Sequence, residues 1–173
     1  MTWTAIAYNL GKRVKPIWES NVLNFMQSTT ELSVPEIDNP LLVMDMGGVL
    51  RNRPDPFPLP SNPDKIYVDF GLIWGEDIID LIMSDRGKVI LPLRKLQGFE
   101  ELDSALAYAE DITIGIDWSQ TVEAEHPDFS IDIVKLLQQL HSRGQTDILV
   151  YSLTGECPYI PAGTALNLDI KLA

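Results

Sequence analysis

Apolar positions along the chain follow two different rhythms. Continuous apolar runs at 41–46, 65–70, 88–93, 112–117 and 147–152 are short and mostly bounded by polar or turn residues, as expected of strands buried on both faces. Between them the apolar residues fall at helical spacing. Ile78, Ile79, Ile82 and Met83 form one stripe of a helix over 76–85, with Gly87 where a C-terminal cap belongs. Phe99, Leu102, Leu106 and Ala109 mark a helix over 99–109, and Ile133, Val134, Leu137 and Leu140 one over 130–143, closed by Gly144. The tail at 165–172 alternates through Leu166, Leu168, Ile170 and Leu172, which predicts an edge strand with one solvated face.

The first forty residues are less regular. Residues 1–16 are weakly patterned, and Ile17, Trp18, Val22, Phe25 and Met26 predict a short amphipathic helix over 17–26. Pro35 and Pro40 then interrupt a connector, so 1–40 reads as an N-terminal helical and linker segment. Residues 51–64 hold five prolines, which cannot donate ladder hydrogen bonds. That stretch is either a stiff loop or an extended recognition strip. Strands alternating with helices imply parallel βαβ units. The expected fold is therefore α/β: one domain over 1–173, with a mostly parallel open sheet flanked by helices on both faces, Rossmann-like, and strands 41–46, 88–93, 112–117 and 147–152 internal.

Charge narrows the function classes. The chain carries a net charge of −12, yet Lys12, Arg13 and Lys15 precede the first acid, so residues 17–173 carry −15. A surface this acidic gains no counterion release from a phosphate backbone, which disfavours direct nucleic-acid binding. Cys157 is the only cysteine, so neither an internal disulfide nor a cysteine-based zinc site can form, and a cytoplasmic location is expected. No apolar run approaches membrane-spanning length, and no membrane association is expected.

Ten acids and no lysine or arginine lie between Lys95 and Lys135. Such a stretch attracts a basic protein at long range. Glu100, Glu101, Asp103, Glu110, Asp111 and Trp118 are the candidate partner-binding residues, with Trp74 and Phe57 as further aromatic anchors. The bland counterpart is a solvated face that keeps the protein soluble.

Three of the strand runs end at an aspartate: Asp45, Asp69 and Asp117. Ligands of open α/β sheets sit beyond the carboxyl ends of the strands. If the three converge there, they form a candidate Mg²⁺ site, since that ion favours carboxylate oxygens. The competing expectation is that each aspartate serves a local turn or helix cap.

The run Leu41-Leu42-Val43-Met44-Asp45-Met46-Gly47-Gly48-Val49-Leu50 resembles the first motif of the haloacid dehalogenase superfamily. That resemblance implies Asp45 as a phosphate-attacking nucleophile, Met46 as the residue offering a backbone carbonyl, and Mg²⁺ as cofactor. Asp147-Ile148-Leu149-Val150-Tyr151-Ser152 is similar to that family's second motif and implies Ser152 as a phosphate ligand. Gly47 stands where most members place a second aspartate. Only 21 residues follow Ser152, with Lys171 and Asp169 at their end, where the family places a lysine and a metal-binding acidic pair. Asp45-Met46-Gly47-Gly48 also resembles the phosphate loop of sugar kinases of the actin-like fold. The leading expectation is a noncatalytic interaction protein, a subunit or accessory factor without a cofactor, docking a basic protein partner through its acidic face. The alternative is a Mg²⁺-dependent phosphohydrolase using Asp45 and Ser152.

Overall fold

The computed structural model describes residues 4–19, 22–31, 39–54, 63–84, 87–110, 112–152, 154, 156, 158–160 and 169–171. Its strands are β1 (Thr4–Asn9), β2 (Lys12–Glu19), β3 (Val22–Glu31), β4 (Leu41–Asp45), β5 (Ile66–Asp69), β6 (Lys88–Pro92), β7 (Thr113–Trp118), β8 (Ile148–Ser152) and β9 (Asp169–Lys171). The helices are α1 (Met46–Arg51), α2 (Ile78–Met83), α3 (Phe99–Tyr108) and α4 (Ile133–Ser142), with a short 3₁₀ turn, Gly75–Asp77, leading into α2. All strands belong to one sheet, ordered β3-β2-β1-β4-β5-β6-β7-β8-β9, and every pairing from β1–β4 through β8–β9 is parallel. The strands expected to be internal, now β4, β6, β7 and β8, are internal. The tail contributes β9 at the sheet's edge, and the rest of the alternating run, 165–168 and 172, lies outside the described residues.

Helices lie on both faces, as expected, but unequally. From β4 to β9 the strand order follows the chain without reversing, so right-handed crossovers step in one direction and place α2, α3 and α4 on one face. Apolar residues of α2, α3 and α4 accordingly join a single cluster with Leu41, Val43, Ile66, Val68, Leu91, Ile114, Ile116 and Val150. The other face carries Ala5, Ala7, Leu42, Met44, Ile90, Leu149 and Tyr151, and packs against Met46 and Val49 of α1. The sheet curls over this second cluster into half a barrel. Gly115 makes room on that inner face, because a Cβ there would lie 3.1 Å from the Tyr151 hydroxyl and 2.9 Å from Ile90 Cγ2.

The helix expected over 17–26 is instead the antiparallel hairpin β2–β3, in which Ile17 pairs with Asn24 and Trp18 with Leu23. Short apolar runs do not distinguish helix from strand by spacing alone, and Val, Ile, Trp and Phe suit a pleated surface. The weakly patterned start forms β1. It joins β2 through Leu10 and Gly11, whose φ values of 51° and 75° match a two-residue hairpin turn. Leucine at the first of these positions conceals a turn usually marked by Asn, Asp or Gly.

Local boundaries shift for physical reasons. The strand expected over 41–46 stops at Asp45, and the Gly47-Gly48 turn is the first turn of α1, so the proline-rich stretch begins within a helix at Arg51; residues 55–62 lie outside the described residues. In α2 only Ile78 and Leu81 are buried, whereas Ile79, Ile82 and Met83 are 36%, 43% and 80% exposed. The single inward stripe expected there is therefore two stripes, one docked on the sheet and one facing out. Helix α4 buries Ile133, Leu137 and Leu140 as expected, together with Leu136, while Val134 is only partly buried.

Candidate functional site

The strand-end aspartates divide between the two faces of the sheet. Side chains alternate along a strand. In β5, Asp69 shares the parity of Tyr67, and in β7, Asp117 shares that of Thr113 and Gly115, so both point to the inner face. In β4, Asp45 shares the parity of Leu41 and Val43, which belong to the helix-covered core. Asp45 is fully buried and caps α1, its Oδ1 accepting from the Gly48 N–H at 3.1 Å. Asp69 and Asp117 therefore meet in one crevice, and Asp45 does not join them.

What brings Asp69 and Asp117 together is a cation from the chain itself. Arg94 lies two residues beyond β6 and continues the alternation Ile90, Pro92, Arg94 onto the inner face, between β5 and β7. Its side chain is 1% exposed. The Nε donates to Asp117 Oδ2 at 2.6 Å and Nη2 to Asp117 Oδ1 at 2.8 Å, a bidentate pair. Toward Asp69, Nη2 donates to Oδ2 at 2.9 Å and Nη1 to Oδ1 at 3.3 Å. Asp69 Oδ1 also accepts from the Gly71 N–H at 2.9 Å. Burial by itself would weaken protonation of Arg94, but the charges of Asp117 and Asp69 reverse this and hold its pKa well above the ordinary value.

Tyr151 closes the cluster. It pairs with Asp117 across β7 and β8, is fully buried, and lies with its ring centroid 6.0 Å from Arg94 Cζ. Its hydroxyl has no hydrogen-bond partner among the described residues. Burial, and after it the negative charge of Asp69, push the phenol's pKa well above its usual value, so Tyr151 stays neutral through the physiological range. One guanidinium against two carboxylates leaves the cluster with one negative charge in excess, and the bidentate geometry commits Arg94 to those carboxylates rather than to a phosphate.

Neither Arg94 nor Tyr151 stands out in the sequence by motif. The signal that marks both is alternation, which places them on the same face as Asp69 and Asp117. Among the described residues, no group of three or more His, Cys, Asp or Glu side chains is gathered so as to hold a metal ion. Ser152 is buried, and its Oγ donates to the Glu156 carbonyl oxygen. Lys95, next to Arg94, donates to the Val49 carbonyl of α1 at 2.9 Å.

The acidic stretch is partly structural. Glu101 accepts from the Gly75 N–H at 2.7 Å, tying α3 to the turn before α2. Asp103 pairs with Arg143 Nε at 3.0 Å, and that guanidinium stacks 4.0 Å from the Phe99 ring centroid. Asp128 reaches from the loop after β7 to accept from the Phe99 N–H at 3.1 Å, and His126 Nδ1 lies 3.6 Å from the same carboxylate. Glu100 and Glu110 are exposed, Trp118 is half-buried, and Asp111 and Phe57 lie outside the described residues. Trp74 is 47% exposed beside Gly75.

No protein-family model and no curated protein matches this chain. Among the described residues, no helix is long and apolar enough to cross a membrane.

Proposed function

We propose that this protein is a noncatalytic docking subunit that binds a basic, partly apolar protein partner on the outer face of α2 and α3. The observation that carries this reading is the outward stripe of α2. Ile79, Ile82 and Met83 stand at i, i+3 and i+4, so they form one exposed apolar strip, and Trp74 lies just before the same helix. A helix apolar on both sides normally has both sides covered. Exposed acids sit beside this strip, Glu76 in the turn before α2, Asp80 on α2 and Glu100 on α3. An apolar strip rimmed by one sign of charge selects a partner with apolar anchors and opposite charge.

The candidate catalytic residues lend less support to a phosphohydrolase. Asp45 holds the first turn of α1, Ser152 is engaged by a backbone carbonyl, and Asp69 and Asp117 are both bonded to Arg94.

The test uses two synthetic helical peptides, one pairing a leucine face with lysines and the other pairing it with glutamates. The lysine peptide should bind, with affinity that falls as salt rises over the range where the screening length shortens to about 8 Å. Ile82→Glu with Met83→Glu should abolish that binding, and reversing Glu76, Asp80 and Glu100 to lysine should flatten its salt dependence. Glu101 and Asp103 are left intact because each already holds a structural bond. Equal binding of both peptides, or turnover of a generic phosphomonoester with Mg²⁺ that Asp45→Asn abolishes, would overturn the proposal.

A further inference from the structure

A cleft of about 340 Å³ opens at the carboxyl end of β7, against the start of α4. It is separate from the α2 strip and from the Arg94 cluster. Its lining includes Trp118, Gln120, Thr121, Ser130, Ile131 and Asp132. The local chain builds it. Trp118 and Val122 form an isolated antiparallel bridge, the Ser119 N–H donates to the Thr121 carbonyl at 3.0 Å, and Gln120 between them takes a φ of 86°. On the opposite wall, Asp132 caps α4, with both cap bonds, from the Val134 and Lys135 N–H groups at 3.0 and 3.2 Å, landing on Oδ1. That leaves Oδ2 for another donor.

The chemistry of the lining selects a ligand class. An indole offers a face to a flat cation. A carboxylate, a carboxamide oxygen and two hydroxyls offer acceptors, and no lysine or arginine lines the cleft to receive an anion. The volume sits at the small end of the roughly 300–1,000 Å³ typical of ligand sites, suited to one side chain rather than a large cofactor. A guanidinium suits these acceptors: it is planar, always charged, donor-only and able to stack on indole, with the Asp132 carboxylate offsetting the positive end of the α4 dipole. Ammonium shares the charge but cannot stack in the same way.

We infer that the Trp118–Asp132 cleft is a guanidinium-binding pocket that receives an arginine side chain of a protein partner. The inference builds on the docking reading, supplying a second, arginine-specific contact beside the apolar strip.

The test is a titration of the whole chain with an end-blocked Gly-Arg-Gly tripeptide, followed by nuclear magnetic resonance at the Trp118 indole N–H. Matched tripeptides carrying lysine or citrulline serve as comparisons. The arginine peptide should shift the Trp118 signal saturably, and the citrulline peptide, which keeps the shape and loses the charge, should bind at least about tenfold more weakly. Asp132→Asn is the decisive variant, since asparagine caps a helix as well as aspartate does, while the substitution removes the charge and turns the second oxygen from an acceptor into a donor. It should weaken the arginine peptide about tenfold while the helical signal of α4 stays unchanged. An unmoved Trp118 signal, equal binding of the citrulline peptide, or full binding to Asp132→Asn would each overturn the inference. The lysine-faced helical peptide separates the two proposals. If it binds and is lost with Ile82→Glu and Met83→Glu while Trp118 ignores arginine, the pocket fails and the docking reading stands. If Trp118 responds and that peptide does not bind, the docking reading fails and the pocket stands.

Discussion

The inner crevice and the outer helical layer treat their side chains in opposite ways. In the crevice, charged groups that water would normally solvate are fully enclosed, and Arg94, Asp69 and Asp117 satisfy one another. On the outside of α2, apolar groups that folding would normally enclose are left in solvent. The first arrangement is costly to disturb and leaves little valence for a ligand. The second contributes little to stability and is open to a partner. The contrast separates residues that hold the fold from residues available for recognition, and charge type alone would have assigned them the other way round.

The sharpest way to break that contrast is at Arg94. Arg94→Leu leaves two carboxylates buried with no cation, and should destabilise the protein by about 3–5 kcal/mol in urea unfolding. Adding Asp69→Asn and Asp117→Asn to that variant should recover part of the loss, because no unpaired charge then remains. A single Arg94→Leu variant as stable as the parent would show that the cluster is not the keystone of the crevice.

Alkaline pH probes the same cluster more gently. Tyr151 has a folded-state pKa raised above its unfolded value of about 10, so its contribution is fully present below that value. Above it, the unfolded chain releases the phenolic proton and the folded chain does not. Stability should then fall by up to about 1.4 kcal/mol per pH unit until the folded-state pKa is passed. Tyr151→Phe should remove this slope. It should also be at least as stable as the parent at pH 7, since the hydroxyl it deletes has no partner among the described residues. A loss at neutral pH would reveal a bond to that hydroxyl.

Asp45 offers a smaller effect of a different kind. As the buried cap of α1, its replacement by alanine should cost about 1 kcal/mol or more, and by asparagine, which keeps the cap acceptor, less, measured as shifts in the urea midpoint. A large effect of Asp45→Asn would point to a role for its charge that capping does not explain.

The parallel part of the fold was legible because each strand run is apolar, short and separated by a helical stripe. The order of its strands was not, since a local pattern carries no information on which neighbour a strand chooses. The hairpin β2–β3 was misread because its apolar residues happen to fall at helical spacing and its companion turn uses Leu10. The strand ends marked Asp69 and Asp117 as candidates but left open whether they converge, since that depends on which strands are neighbours. The divergence of Asp45 was readable from alternation, had Leu41, Val43 and Asp45 been counted as one face. Arg94 carries no motif, and its role depends on β6 lying between β5 and β7, a fact of topology rather than of sequence.

The smallest expected change in stability belongs to the outer stripe of α2, and there the contrast is sharpest. Ile79, Ile82 and Met83 are exposed, so changing them removes little contact area inside the fold. Ile82→Glu and Met83→Glu should each move the unfolding free energy by no more than about 0.5 kcal/mol, as is usual for surface substitutions. If these two positions anchor a partner, the same substitutions should cost at least about 2 kcal/mol in binding, the scale of an interface hot spot. The ratio of the two effects is the measurement. A substitution that destabilises the fold and binding equally would mean the stripe is packed against the rest of the chain. One that changes neither would make it an ordinary solvent face. Only a protein whose fold ignores these residues while its partner depends on them fits a surface kept apolar for recognition.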